Sequence, residues 1–166
     1  MSREELAGVL RQVGVPNAEQ AKAFKALSQL PQLRVGVADV SALGLTVHLA
    51  RLNAVQDKDH RIFAPRYPKP QTEGYFVLVT DAAKGEIVAL KRISWPSVDK
   101  SRGGGVGRPS TKAVIKLPRS EVERRLRVVV LSDSYIGMEW EVDGEVEVPA
   151  PPKVVDDVGK PEKGKQ

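Results

Sequence analysis

Apolar and polar residues alternate along most of the chain, and this period of two constrains the possible folds more than any other feature. Val35 and Val37, for example, alternate with Arg34 and Gly36. Because successive side chains of a β-strand point to opposite faces, the alternation predicts strands with one buried face. No helical pattern separates these segments, so we expect an antiparallel sheet structure and not a parallel α/β sheet.

Seven alternating segments follow one another, with turn residues between them. They are Leu33–Val37, Leu45–Leu49, Tyr75–Val79, Glu86–Ile93, Ala113–Leu117, Leu126–Leu131 and Met138–Val148. The predicted fold class is mainly β: a seven-stranded immunoglobulin-like or fibronectin-like sandwich. The pair Asp143 and Gly144 falls inside the last segment, where it predicts a β-bulge; a hairpin turn is the alternative.

Two short helices are predicted before the first strand, and they form a helical hairpin. The apolar stripe of the first helix consists of Leu6, Val9, Leu10 and Val13. Gly14 ends this helix, Asn17 and Gln20 give a capping pattern for the second helix, and Pro31 closes it. Helices this short are unstable alone, so they must pack against the rest of the chain or against a partner.

The predicted organisation is a helical hairpin over residues 1–31, a sandwich over 32–149 and a disordered tail over 150–166. The segment 94–110 is rich in Gly, Pro and Ser, with Trp95 as its large apolar residue, and predicts a flexible loop between two strands. The tail has the proline and charge content of a disordered terminus.

The chain carries a formal net charge of +5, and its charges are segregated. Basic residues dominate from Lys91 to Arg127, whereas Asp133 to Glu147 contains acidic residues and no basic one. This suggests two neighbours, nucleic acid and protein; two solvated sheet surfaces are the alternative. The candidate contact residues are Lys91, Arg92, Lys112, Lys116, Arg124, Arg125 and Arg127. They could bind backbone phosphate, or they could protect edge strands from aggregation.

Several kinds of chemistry are not expected. The chain has no cysteine, which excludes disulfides and thiolate metal sites. Asp57, Asp59 and His60 are close in sequence but give too weak a pattern for a metal site. The cluster Gly103–Gly107 lacks the Lys-Ser/Thr pair and the helix of a phosphate-binding loop. We therefore assign no catalytic, cofactor-binding or metal-ligating residue, and we expect no cofactor.

The chain is expected to be soluble. Its apolar runs are far shorter than a membrane span. The N-terminal segment carries acidic residues where a secretory signal would carry basic ones, so no signal peptide is predicted.

Three segments carry a specific resemblance: Arg66–Phe76, Ile87–Ile93 and Ser132–Gly137. In this order they resemble the Sec sixty-three-type C-terminal domain of large Ski-two-like RNA helicases, a domain that an endoplasmic reticulum protein-translocation factor shares. The motif residues are Pro68, Glu73, Gly74, Tyr75, Ser132, Asp133, Tyr135 and Gly137. We expect these residues to have structural roles.

The residue types in the motifs indicate what those roles are. Pro68 stiffens its loop, and Gly74 allows a close approach of two backbones. Asp133 and Ser134 are expected to bond the backbone of their own turn, and Gly137 to lie where a side chain would clash.

Within the resembled family, the nearest branch is the fungal form of the activating-signal-cointegrator helicases, which act on stalled ribosomes; the spliceosomal helicases are next. The resemblance implies a non-catalytic accessory and protein-interaction module, since the ATP-binding and DExH motifs are absent from these residues. It implies as partners the upstream helicase cassette of the same polypeptide, other subunits of its complex, and RNA or the ribosome. The implied location is the cytoplasm, with the nucleus as an additional one. The alternatives are the sandwich of a translocation factor and a free-standing RNA-binding module that uses the basic residues.

Overall fold

The computed structural model describes residues 3–54, 61–62, 68–96 and 108–152 of the chain. Two helices precede eight strands in these ranges, so the fold is mainly β, as the alternating pattern predicts. The helices are α1 (Arg3–Gln12) and α2 (Asn17–Gln29). The strands are β1 (Leu33–Ser41), β2 (Gly44–Arg51), β3 (Gly74–Asp81), β4 (Ile87–Ser94), β5 (Ser110–Lys116), β6 (Arg124–Ser132), β7 (Glu139–Glu141) and β8 (Val146–Val148).

The two helices contact each other, and each ends as its sequence indicates. Gly14 follows α1 with φ 81°, a left-handed conformation that glycine adopts without strain. The predicted cap of α2 is wrong, because Pro16 occupies the cap position and Asn17 is already helical. Gln20 Nε2 instead donates to Asn17 Oδ1 at 2.8 Å, so these two side chains bond each other and not the first backbone amides.

The strands form two antiparallel sheets that pack on a common core. One sheet has the order β1-β2-β5, and the other has the order β4-β3-β6-β7, with β8 also pairing with β6. The core draws alternate residues from both sheets. Its strand members are Leu33, Leu45, Val47, Leu49, Tyr75, Val77, Val79, Ala113, Ile115, Leu126, Val128, Val130 and Val148. The arrangement is that of two sheets enclosing one layer of apolar side chains.

The two sheets approach each other along an edge formed by β4 and β5. Lys91 lies on the core-facing side of β4, since it pairs in register with the buried Val77. Its Nζ donates to the Val114 carbonyl of β5 at 2.9 Å. Lys91 therefore connects the two sheets and occupies a carbonyl that an edge strand would otherwise expose.

The last predicted strand is divided into β7 and β8, so the described strands number eight and not seven. Both pair antiparallel with β6 along the same edge, and the described pairings contain none between β7 and β8. The hairpin alternative is therefore wrong. Between these two pairings, β6 runs from Val129 to Leu126, and the segment opposite it, from Glu141 to Val146, is longer. Gly144 lies in the inserted turn of that segment, with φ 77°. Extra residues on one strand interrupt the pairing, as in a bulge.

Two of the predicted irregular regions fall mostly beyond the described ranges. Residues 97–107 of the predicted loop and 153–166 of the predicted tail lie outside them. The boundaries drawn from the sequence at 31, 149 and 150 remain predictions.

Candidate interaction site

Most of the motif residues meet at one corner, where β3 begins and β6 ends. Asp133 N donates to Gly74 O at 3.0 Å, and Gly74 N donates to Asp133 Oδ1, also at 3.0 Å. Arg92 of β4 donates from Nε to Asp133 Oδ2 at 2.8 Å and forms an ion pair with that carboxylate. One carboxylate therefore connects β3, β4 and the end of β6.

Gly74 and Gly137 are glycines for different reasons. A Cβ at Gly74 would overlap Asp133 Oδ2 and lie 2.6 Å from Arg92 Nη2, so a side chain would push the corner apart. The clash predicted at Gly137 is wrong, because nothing lies within 4 Å of a Cβ built there. Gly137 has φ 78°, and this left-handed backbone is the reason that glycine suits the position.

The turn after β6 depends on Ser132. Its Oγ accepts hydrogen bonds from the backbone N–H of Ser134 at 3.2 Å and of Tyr135 at 3.0 Å. Ser134 Oγ donates to Asp133 Oδ1 at 2.6 Å. The expectation that Asp133 and Ser134 bond the backbone of their own turn is therefore corrected: the Asp133 carboxylate accepts from Gly74, Arg92 and the Ser134 hydroxyl, and the hydroxyl of Ser132 bonds the backbone of the turn. Pro68 lies exposed in a bend well before β3.

Glu73 immediately precedes β3 and accepts hydrogen bonds from three side chains. It forms an ion pair with Arg51, the last residue of β2. Tyr75 Oη donates to Glu73 Oε2 at 3.1 Å, and Trp95 Nε1 donates to the same oxygen at 2.9 Å. Arg51 is 3% exposed and Glu73 4% exposed. Buried charges are tolerated only with such partners, so these four residues form one interdependent polar cluster.

The electrostatics of this cluster favour a neutral tyrosine. Burial raises the pKa of Tyr75, the negative charge of Glu73 raises it further, and the positive charge of Arg51 partly opposes the rise. Burial also raises the pKa of Tyr135, with a smaller contribution from Glu73. The Tyr75 ring packs edge-on against Trp95, with ring centroids 5.3 Å apart. Tyr75 is therefore a fixed hydrogen-bond donor to Glu73.

The same cluster holds the end of α2. Arg51 Nη2 donates to the carbonyl of Gln29. Asn53 Nδ2 donates to the carbonyls of Ser28 at 3.0 Å and Leu30 at 2.9 Å. The last carbonyls of a helix have no partner within the helix, and a cation there is favoured by the helix dipole. We call this set of bonds from Arg51 and Asn53 to residues 28–30 the joint.

The outer face of the five-stranded sheet has an apolar centre. Leu90, Leu78 and Val129 are register neighbours on β4, β3 and β6, and Phe76 lies beside Leu131 in the adjacent row. Leu90 is 60% exposed, and the other four are partly exposed. We call these five residues the apolar face. The outer side of an antiparallel sheet is normally polar, and contiguous apolar surface there is typical of a contact site.

The predicted basic contact residues do not converge on one surface. Arg92, Arg125 and Arg127 occupy the outer side of the five-stranded sheet, where Arg92 pairs with Asp133 and Arg127 pairs with Glu141 at 2.7 Å. Lys112 and Lys116 lie exposed on β5 of the other sheet.

The two remaining basic candidates are bonded to backbone. Lys91 binds the Val114 carbonyl as described above, and Arg124 Nη2 donates to Pro118 O at 2.8 Å. The Nε atom of Arg124 is buried without a partner among the described residues. Their bonds indicate structural roles for both side chains.

Sequence reasoning missed Arg51, Asn53 and Trp95. A signal for Arg51 was present, because it continues the inward positions of Val47 and Leu49 on β2. Trp95 lies two residues after Ile93, so a strand pattern points both side chains inward. The structure buries Trp95 at the start of the predicted flexible loop. Asn53 gave no signal, since the two carbonyls to which it donates are more than twenty residues away in sequence.

No group of three or more potential metal ligands occurs within residues 3–54, 61–62, 68–96 and 108–152. The weak candidate Asp57, Asp59 and His60 lies outside those ranges. Across the described part of the chain, no helix is both long and apolar enough to cross a membrane.

Comparison with known proteins relates this chain to parts of much longer ones. It is 30% identical over 101 residues to activating signal cointegrator 1 complex subunit 3 of Gallus gallus, covering 60% of this chain and 4% of that protein. It is 29% identical over 85 residues to DExH-box ATP-dependent RNA helicase DExH13 of Arabidopsis thaliana, covering 51% of this chain and 4% of that protein. No family model matches. The similarities support a helicase-related region in this chain.

Proposed function

We propose that this chain is a non-catalytic accessory and protein-interaction module of an ATP-dependent RNA helicase. In this proposal the module is a Sec sixty-three-type domain with an immunoglobulin-like or fibronectin-like sandwich over residues 32–149, preceded by the hairpin over 1–31 and followed by a disordered tail. The parent helicase belongs to the activating-signal-cointegrator branch, acts on stalled ribosomes, and works in the cytoplasm. Similarity to a DExH-box helicase and to a cointegrator complex subunit supports the parentage.

The apolar face is the observation that carries the interaction role. Its five residues lie side by side on three strands, at positions that a self-sufficient sandwich would fill with polar side chains. The relatives are much longer than the matched segment, because the match covers 4% of the length of each. The proposed occupant of the apolar face is therefore the upstream helicase cassette of the same polypeptide.

The motif residues support a non-catalytic role. Glu73 and Asp133 are both engaged by arginines and by further donors. Carboxylate oxygens already occupied by fixed donors have little remaining capacity to accept a proton from a substrate. Their arrangement serves to connect strands and not to bind a substrate.

The first test is the size of the native polypeptide. An antibody raised against the peptide Arg66–Asp81 is used to blot cell lysate. A band many times larger than 18.1 kDa, containing tandem DExH cassettes by peptide mass spectrometry, is expected. A single band near 18.1 kDa would contradict the proposal. A large polypeptide with a J-domain and membrane spans would favour the translocation factor.

The second test addresses the apolar face within the native polypeptide. Leu90→Asp should weaken docking of the module and lower RNA unwinding, because it places a charge in the contact surface. Val122→Asp is the matched control, since Val122 is 68% exposed in the segment between β5 and β6, against 60% for Leu90. Equal unwinding activity in both variants and the unmodified protein would refute docking through this face.

A further inference from the structure

A shallow groove of about 430 Å³ lies on the outer side of the three-stranded sheet. Two cross-strand rows line it. The first row is Arg34, Ala50 and Ser110, and the second row is Gly36, His48 and Lys112. Glycine, alanine and serine leave space between the three larger side chains of these two rows, and this space forms the groove.

The groove is positively charged, and no negatively charged side chain among its lining residues offsets that charge. Arg34 and Lys112 carry charges, His48 adds an imidazole, and no carboxylate is among the lining residues. All three side chains are exposed, and none has a side-chain hydrogen bond or ion pair within the described ranges. Lys116 lies on the same side of β5, opposite Gly44. Such a surface is complementary to an anion.

We propose that this groove binds the phosphate backbone of a single RNA strand. The sheet is three strands wide, which corresponds to about 10 Å and fits one sugar–phosphate chain better than a duplex. No Phe, Tyr or Trp lines the groove, and His48 is the one lining ring, so a stacking platform for successive bases is lacking and contact with phosphates independent of sequence is expected. The choice of RNA over DNA rests on the proposed helicase function; the phosphate contact does not.

An acidic peptide is a poorer occupant. Extended peptides bind sheets by adding a strand at an edge, where unpaired backbone groups are available. The groove lies on a sheet face whose central strand β2 is paired on both sides by β1 and β5. A phosphodiester chain needs only cations, and cations are what the groove offers.

Binding can be measured on the whole chain by fluorescence anisotropy with a labelled single-stranded RNA of about 16 nucleotides. With Arg34, Lys112 and Lys116 as the contacts, the plot of log affinity against log salt should have a slope of about −2. Arg34→Gln combined with Lys112→Gln should lower affinity about tenfold or more and make the slope shallower by about 1.4. The matched control is Lys69→Gln with Lys84→Gln, which removes two exposed charges elsewhere and should leave binding unchanged.

Gly36 offers a second, sharper test. A Cβ there meets nothing within 4 Å, so larger side chains can be introduced without disturbing the sheet. Gly36→Glu should abolish RNA binding, whereas Gly36→Gln, which has the same size and no charge, should lower affinity by less than about threefold. Thermal unfolding of each variant confirms that it is folded, and should Gly36→Glu not fold, the Arg34 and Lys112 pair decides.

Several results would overturn the proposal. They are an absence of RNA binding at about 50 mM salt, an equal loss of affinity in the Lys69 and Lys84 control, unchanged binding in the groove variants, and preferential binding of a polyglutamate peptide. Tighter binding of single-stranded DNA of the same length would refute the choice of RNA. None of these results bears on the size of the native polypeptide, so the groove can fail while the proposed function stands.

Discussion

Burial removes the hydration of both Arg51 and Glu73, and each charge is stable in the protein only because the other is beside it. The cost of removing two charges from water is several kcal/mol per ion, which a close pair with further hydrogen bonds offsets. Tyr75 and Trp95 supply those further bonds to Glu73. The pair specifies where the end of β2 lies against the start of β3 more than it adds net stability.

Glu73→Gln should destabilise the protein by about 3 kcal/mol, because it leaves the Arg51 charge buried without a counter-charge. Urea unfolding followed by circular dichroism measures the change. Arg127→Gln is the control: it breaks the exposed pair with Glu141 and should cost less than about 1 kcal/mol. Similar losses in the two variants would show that burial of the Arg51–Glu73 pair does not determine its contribution.

Stability should fall at alkaline pH. The pKa of Tyr75 is raised in the folded state, so above about pH 10 the unfolded chain loses this proton while the folded chain keeps it. The free energy of unfolding should then decrease by about 1.4 kcal/mol per pH unit for this group, whereas below about pH 10 it is unaffected. Comparing the unmodified protein with Tyr75→Phe between about pH 8 and pH 11 isolates the effect. Parallel pH profiles would contradict it.

At the residue scale, the sequence indicates which side chains point inward but not which residues they contact. Period two alone points Arg51 inward, since it follows Val47 and Leu49 at the same parity. The partners of Asp133 were not predictable, because Gly74 is 59 residues away and periodicity contains no information about which strands become neighbours. Gly137 shows that the sequence identifies a glycine but does not distinguish a close approach from a left-handed backbone.

At the scale of elements, the corner around Asp133 joins three strands that are distant in sequence. Gly74 makes the approach possible, and Arg92 neutralises the carboxylate. The corner therefore fixes the register of β3 against both of its neighbours. A strand whose register slips by one residue would turn its apolar side chains outward.

Gly74→Ala should destabilise the protein by about 2 kcal/mol, since the added methyl group overlaps Asp133 and the corner must open. Gly36→Ala is the matched control in β1, where a Cβ has free space, and it should be neutral or slightly stabilising. Urea midpoints of both variants give the comparison. A Gly74→Ala protein as stable as the Gly36→Ala protein would mean that the corner adjusts without cost.

The elements themselves were the most predictable part of the fold. Each strand predicted from the sequence corresponds to a strand in the structure, because the alternation of apolar and polar residues indicates directly which residues face the core. The break between β7 and β8 was less visible, since a bulge and a hairpin turn use the same Asp-Gly chemistry and differ only in where the following residues pair. Asn17 was misassigned because its side chain prefers Gln20 to the helix backbone.

At the scale of the whole molecule, the helices depend on the sandwich through the joint. No residue of α2 is buried, Val9 of α1 is 45% exposed, and Val13, which follows α1, is 70% exposed. Helices of this length have little stability of their own. Their mutual contact and the bonds from Arg51 and Asn53 therefore contribute to holding them in place.

Asn53→Ala should loosen the helices and leave the sheets intact, because it removes the hydrogen bonds to the carbonyl of Ser28 in the last turn of α2 and to that of Leu30, its cap residue. Amide hydrogen exchange should become faster in residues 17–29 by about fivefold or more, while β3 and β6 exchange as before. Asn17→Ala is a suitable control, since Asn17 contributes no capping bond. Uniform acceleration across helices and sheets would show that the two parts unfold together.

The joint also affects how this molecule can change over evolutionary time. Arg51 and Asn53 bind main-chain oxygens of residues 28–30, and every amino acid supplies the same oxygen. The helical segment can therefore exchange its side chains to suit a new neighbour without losing its orientation, while Arg51 and Asn53 cannot vary freely. Among homologues, substitutions should accumulate at positions 28 and 29 and be rare at 51 and 53. The hairpin sequence should therefore vary while the residues that hold it stay the same.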